Sequence, residues 1–255
     1  MTKISEKGHS KNVATFEDLI SFCTGYGTAY NPSKNNIKLT ALNTLLAAAR
    51  GNLVALNNAF TAFNNATNTR VVAFDPLEKL VTRIVNALDA TDAKKQTVND
   101  AKGVARKMQG RRADPLATII PTALASDGTS PPVTTLPTDN SISVSQMSYD
   151  SQIENLSRMI TLLTAEPLYL PNENDLKLTA LNALLASFKS ANTAVINATT
   201  VLSNARITRN KSLYASDTGL HDIAQEVKKY VKSVFGAKSP EYRLISGLIF
   251  TTKPL

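Results

Sequence analysis

An internal repeat is the feature that most constrains how this 255-residue chain can fold. A shift of 139 residues aligns residues 36–47, NIKLTALNTLLA, with residues 175–186, DLKLTALNALLA, and nine of the twelve positions are identical. The same shift matches Tyr30 with Tyr169 and Arg70 with Arg209, and the matches extend from residue 30 to residue 84 without a gap. We infer that the chain contains two copies of one unit.

Apolar residues in each copy recur three and four positions apart, which is the spacing of an amphipathic helix. In the first copy this spacing predicts a long helix over residues 36–69 that packs along its whole length. Asp75 and Pro76 then suit the start of a second helix, as a capping acceptor followed by proline in the first turn, and we expect that helix to face the first. The predicted stripe of the long helix is Leu39, Leu42, Leu46, Ala49, Leu53, Leu56, Phe60 and Phe63.

The predicted fold class is therefore all-α, an internally duplicated helical bundle of long antiparallel helices in two pseudo-equivalent units of about three helices each. We place the first repeat at residues 1–112, a linker rich in Pro, Ser and Thr at 113–147, and the second repeat at 148–255. Five prolines in the linker prevent a regular helix there. The chain ends in an apolar tail, GLIFTTKPL, which we expect to dock on the bundle.

Polar residues interrupt the stripe of the second long helix, because Asn192, Thr199 and Arg206 fall where apolar residues are expected. Two interpretations follow. A polar residue on the packed seam can fix the register of the helices at some cost in stability. Alternatively, the helix is rotated so that the four residues Ala191, Ala194, Ala198 and Val201 are buried instead.

Positive charge is concentrated in the first repeat. Residues 1–112 carry 16 Lys and Arg against 8 Asp and Glu, whereas residues 113–255 carry 12 of each. Such a cluster could contact phosphates, although cations near the end of a helix are also favoured by the helix dipole. The residues predicted to contact an anion or a nucleic acid are Lys94, Lys95, Lys102, Arg106, Lys107, Arg111 and Arg112.

The sequence offers few groups for catalysis or metal binding. It has one cysteine and two histidines, and it lacks the motifs of phosphate-binding loops and of activated serines. Cys23 is interpreted as a small apolar core residue. His221 is followed by Asp222 and, one turn on, by Glu226, which is too small a set for a zinc site. We therefore expect no enzyme activity, no cofactor and no metal.

The expected function is that of a structural, scaffold or self-assembling protein, with self-association or a protein partner. The alternative is nonspecific nucleic-acid binding through the basic first half. The first 15 residues are polar and no run of about 18 apolar residues occurs, so we expect a cytoplasmic protein without a membrane span.

Overall fold

The structure is a computed structural model that describes residues 8–110 and 147–252. Within these ranges the regular structure is helical throughout, with no β-strand, in agreement with the predicted all-α class. Arg111, Arg112 and nearly all of the predicted linker lie outside the described residues. The helices are α1 (His9–Gly25), α2 (Leu39–Phe74), α3 (Leu77–Asp89), α4 (Lys95–Met108), α5 (Tyr149–Thr164), α6 (Leu178–Tyr214), α7 (Leu220–Phe235) and α8 (Pro240–Ser246).

The capping residues of α7 and α8 take their usual roles at the helix ends, whereas the expected cap between α2 and α3 does not form. Gly236 ends α7 with a φ of 90°, and the Ser239 hydroxyl accepts a hydrogen bond from the Tyr242 amide at 3.0 Å. These are the usual roles of a glycine just after a helix and of a serine just before one. Asp75 does not cap α3. Pro76 keeps a right-handed helical backbone conformation, with φ −74° and ψ −8°, so the two helices are separated by only two residues.

Contacts divide the chain into two compact units. Unit 1 comprises Met1–Ala66 and Val195–Leu255, and unit 2 comprises Thr67–Ala194. Each unit therefore combines residues of both predicted repeats, and α2 and α6 each contribute to both. The compact units and the sequence repeats divide the chain differently, so the proposed repeat boundaries stay a prediction.

The core of unit 1 is formed by α1, the first turns of α2, and α7. Phe16 and Leu19 of α1 are fully buried, and they belong to one cluster with Leu42 of α2 and Val227 of α7. The apolar stripe of α2 is buried only over its first part. Leu53, Leu56 and Phe63 are half-buried and Phe60 is 49% exposed. The prediction that this helix packs along its whole length is therefore wrong.

The core of unit 2 explains why α3 does not face the beginning of α2. Val81 and Ile84 of α3 are fully buried in a cluster with Leu156 of α5 and Leu181 of α6. The expected pairing of the first two stripes is wrong, because the helical backbone at Pro76 does not reverse the chain into a tight hairpin. The stripe of α3 is instead covered by α4, α5 and the first turns of α6.

The two copies of the repeat make the same local hydrogen bond. The Tyr30 hydroxyl donates to the carbonyl oxygen of Ile37 at 2.6 Å, and the Tyr169 hydroxyl donates to that of Leu176 at 2.9 Å. Both tyrosines are buried. The hydrogen bond satisfies a polar group that would otherwise be costly to bury, and it joins the loop before each long helix to that helix's start.

A polar network centred on the buried residue Asn192 lies on the stripe of α6 in unit 2. The amide of Asn192 accepts a hydrogen bond from Arg70 at 2.9 Å and donates one to Asp150 at 2.7 Å, and the Arg70 guanidinium stacks on the ring of Tyr149. Asn192 is 6% exposed. The polar residue thus stays on the packed seam, where its hydrogen bonds favour one register of the helices.

The rotated alternative for α6 is confirmed for only one of its four residues. Ala191 is buried and Ala198 is half-buried, whereas Ala194 and Val201 are exposed. Val195 and Leu202 of the original stripe are buried, and its polar members Thr199 and Arg206 are exposed.

The apolar tail docks on unit 1 through two of the three large side chains at residues 248–250. Phe250 is buried and Leu248 packs against the core, while Ile249 is exposed. The side chain of buried Asn12 donates to the carbonyl oxygen of Thr251 at 2.8 Å and accepts from its amide at 3.0 Å. These paired hydrogen bonds fix the tail against α1.

Candidate functional site

The predicted basic residues lie at both ends of α4. Lys94 is the N-cap and Lys95 the first residue of α4, where a positive charge is unfavourable to the helix dipole. Arg106 and Lys107 occupy the last turn, where the dipole favours them. The favourable position gives these last two residues a structural role that needs no ligand.

One face of α4 brings three of these cations together. Lys95, Lys102 and Arg106 are seven and four residues apart, which places them on the same side of the helix. Lys102 donates to Asp89 at 2.9 Å, so its charge is already balanced. Lys107 lies on another side. The structure thus assembles a smaller basic face than the sequence suggests.

Cys23 is a core residue of unit 1, as the sequence predicts. It is fully buried and carries a free thiol. Burial raises the pKa of this thiol to about 12. The thiol is therefore protonated at neutral pH, and a protonated, inaccessible sulfur is a poor nucleophile.

His221 lies near the start of α7 with its ring half-buried. Its Nδ1 atom is 2.9 Å from the carboxylate of Asp222, and Glu226 is held by Lys34 at 2.5 Å. The hydrogen bonds from His221 and from the Asp217 amide lower the pKa of Asp222 below its usual value. Within the described ranges, no three His, Cys, Asp or Glu side chains converge on a common point.

The central part of α2 presents an uncharged, exposed face. Residues 51–69 contain no charged side chain between Arg50 and Arg70. Four residues of this stretch are spaced four, three and four positions apart, so they lie on one side of the helix, and all four are exposed. We call this side the α2 central face. Val54 is 58% exposed at its start. The α2 central face consists of Val54, Asn58, Thr61 and Asn65.

A similar face occurs on α6. Residues 190–205 are uncharged between Lys189 and Arg206. Ile196 and Ile207, on one side of the helix, are 57% and 65% exposed. The α6 central face consists of Ile196, Thr200, Ser203 and Ile207. The absence of charge was visible in the sequence. The exposure of the face could not be predicted from the sequence, because the stripe pattern predicted packing along the whole helix.

Among the described residues, one helical stretch is long and apolar enough to cross a membrane. It is Leu39–Asp89, whose most apolar window has a mean hydropathy of 1.3, with 17% of that window buried. Core helices of other proteins meet the same criterion of length and composition. The expectation of no membrane span therefore stays a prediction.

Comparison of this chain with protein-family models, with curated proteins and with solved structures gives no match.

Proposed function

We propose that this chain is a non-catalytic scaffold protein that self-associates through the central faces of α2 and α6. The observation that carries the proposal is the combination of exposure, apolar side chains and missing charge over residues 51–69 and 190–205. Exposed apolar surface of this kind is typical of interaction sites. Neutral amide and hydroxyl groups between the apolar residues can form hydrogen bonds across an interface.

A second copy of the chain is the partner that fits these faces. The chain has a net charge of +8, so two copies repel each other over most approaches. The central faces allow two identical surfaces to meet without bringing like charges together. Most oligomers of identical chains use such self-complementary surfaces around a twofold axis.

Lysine substitutions on the central faces test this proposal. We expect the wild-type chain to elute as a defined multiple of 27.4 kDa in size-exclusion chromatography with light scattering. The double variant Val54→Lys, Ile196→Lys should elute as a monomer, because desolvating a lysine in the interface is strongly unfavourable. Both positions are exposed in the single chain, so the fold should be retained.

Leu244→Lys is the matched control, since Leu244 is 54% exposed on α8, outside both faces. It should leave the oligomer intact. A wild-type chain that is monomeric at high protein concentration contradicts the proposal, and so does equal dissociation of the control.

The sequence repeat also supports a proposal about the architecture. We infer two pseudo-equivalent units of long antiparallel helices, produced by duplication of residues 1–112 into 148–255. The support is the repeated sequence and the matched hydrogen bonds of Tyr30 and Tyr169. A cytoplasmic location without a membrane span is also proposed, because the apolar part of α2 contains Asn43, Asn52 and Asn57, which are costly to place in lipid.

Nonspecific nucleic-acid binding is the second candidate, and the basic face of α4 favours it. We expect a single-stranded oligonucleotide to bind with an affinity that falls steeply as salt rises. Lys95→Gln with Arg106→Gln should weaken binding measured by fluorescence anisotropy. Lys189→Gln and Lys238→Gln remove the same charge elsewhere and serve as the control. Equal weakening by both pairs, or no binding at low salt, contradicts this candidate.

A further inference from the structure

A groove in unit 1 is lined by both cationic and apolar residues. Arg209 of α6 and Lys11 of α1 line it together with Leu53 and Leu56 of α2, and its volume is about 560 Å³. Ser10 forms part of the wall. The groove thus offers two cationic side chains beside a small apolar surface.

Arg209 occupies the position in the second repeat that Arg70 occupies in the first. Arg70 is balanced by a carboxylate, since its guanidinium reaches Asp150 through the Asn192 amide. Arg70 thus has an amide and a carboxylate close to its partly buried guanidinium.

The residues that balance Arg70 are replaced around Arg209. The 139-residue shift places Leu53 where Asn192 stands. For α1 and α5 the shift is 140, because the N-caps Gly8 and Ser148 and their buried residues correspond at that spacing. Ser10 therefore stands in place of Asp150. The two positions that supply an amide and a carboxylate to the Arg70 network are therefore Leu53 and Ser10 near Arg209.

The charge of Arg209 has no carboxylate partner among the described residues. Its guanidinium donates to the side chain of its neighbour Asn210, at 2.7 Å from Nη2 and 3.0 Å from Nε. Partial burial lowers the pKa of Arg209, and the nearby cation Arg206 acts in the same direction. Lys11 adds a further positive charge to the groove. An anion placed here would supply the charge that Asp150 supplies in unit 2.

We propose that this groove binds a small soluble molecule with an oxyanion group, such as a phosphate monoester, attached to an apolar body. The oxyanion accepts hydrogen bonds from Arg209 and Lys11, which are charge-assisted and therefore strong. The apolar body lies against Leu53 and Leu56. The groove is large enough to admit phenyl phosphate, and a pocket with few polar anchors beside apolar side chains is typical of small-molecule sites.

Isothermal titration calorimetry of the full chain with phenyl phosphate tests the assignment. We expect saturable binding that is tighter than binding of inorganic phosphate, because only phenyl phosphate contacts the apolar wall. Arg209→Gln should weaken phenyl phosphate binding by about tenfold or more. Arg206→Gln removes an exposed arginine of the same helix outside the groove, and it should leave the affinity within about twofold.

Substitution of Ser10 gives a second test that does not alter the arginine. Ser10→Asp introduces the carboxylate that unit 2 carries at this position, and it should abolish binding by pairing with Arg209 and repelling the anion. Ser10→Asn has nearly the same size without the charge, and it should bind within about threefold of the wild type. Ser10 is exposed, so both variants should fold, which circular dichroism checks.

Three results would overturn the assignment. One is the absence of binding at millimolar phenyl phosphate, and another is equal weakening by Arg206→Gln and Arg209→Gln. The third is Arg209-dependent sedimentation with phosphatidic acid vesicles, which would assign the groove to a lipid headgroup. Self-association is measured separately, so failure of the scaffold proposal leaves this test unaffected.

Discussion

Replacing Phe188 with alanine is expected to lower the free energy of unfolding by about 3–5 kcal/mol, the usual cost of truncating a buried phenylalanine. Phe188 is completely buried in the core of unit 2. Its ring stacks on Phe74 with the ring centroids 4.0 Å apart, so the substitution removes both apolar burial and an aromatic contact. Urea unfolding followed by circular dichroism measures the loss.

Hydrogen exchange locates the effect of this substitution. Amides of α3 and α5, in unit 2, should lose protection, because their buried residues share the cluster with Phe188. Val72→Ala is the matched control, since Val72 is 72% exposed two residues before Phe74. We expect the control to change stability by no more than about 0.5 kcal/mol. A similar loss for both variants would contradict the assigned core.

The position of Phe188 is occupied by a much smaller side chain in the first repeat. The 139-residue shift places Ala49 at the position of Phe188, and both residues are buried. Corresponding core positions of the two units are therefore filled by side chains of very different volume. Duplicated sequences can keep their helices while their cores diverge, because the neighbouring residues change together.

The sequence predicted the helices well because their signals are local. Three-and-four spacing, Ser239 before Pro240, and Gly236 after Phe235 each act within one or two turns, and all three are found in the structure. The buried state of Cys23 also followed from its apolar neighbours. These features depend little on contacts with residues that are distant in the sequence.

The pairing of the helices was predicted less well because it depends on distant residues. The backbone of Pro76 decides whether α3 returns along α2, and proline suits a continuing first turn as well as a reversal. The buried side of α6 depends on Arg70 and Asp150, which bind Asn192 from other helices. A single helix pattern cannot reveal such partners, so both orientations of α6 were compatible with the sequence.

The candidate sites also combine features that could be predicted from the sequence with features that required the structure. Positions of charged residues could be read from the sequence, and the basic face of α4 retains Lys95, Lys102 and Arg106. The ion pair of Lys102 with Asp89 and the surroundings of Arg209 could be known only from the fold. The central faces needed both kinds of information, since missing charge matters only where the surface is exposed.

Alkaline pH is expected to destabilise this protein strongly, beginning near pH 9. The pKa of the Cys23 thiol is raised by burial from 9.0 to about 12, and that of the Tyr169 phenol from 10.0 to about 12. Burial also raises the pKa of Tyr30. All three groups must lose a proton in an environment that disfavours the charge.

The sign of the effect follows from proton binding in the two states. Above pH 9 the unfolded chain releases these protons while the folded chain retains them, so the free energy of unfolding falls as pH rises. The stability is fully present below the ordinary pKa values and is lost as pH approaches 12. The thiol and the Tyr169 phenol should each contribute a loss on the order of 3 kcal/mol by pH 12.

Urea unfolding at a series of pH values between 7 and 11 measures this loss, and two variants assign it. Cys23→Ala removes the first titrating group, so its stability should fall less steeply between pH 9 and 11 than that of the wild type. Tyr169→Phe should reduce the slope above pH 10, although it also loses the hydrogen bond to Leu176 at neutral pH. Slopes rather than absolute stabilities are therefore compared. A stability that is constant from pH 9 to 11, or slopes that neither variant changes, would show that these groups are accessible to water in the folded protein.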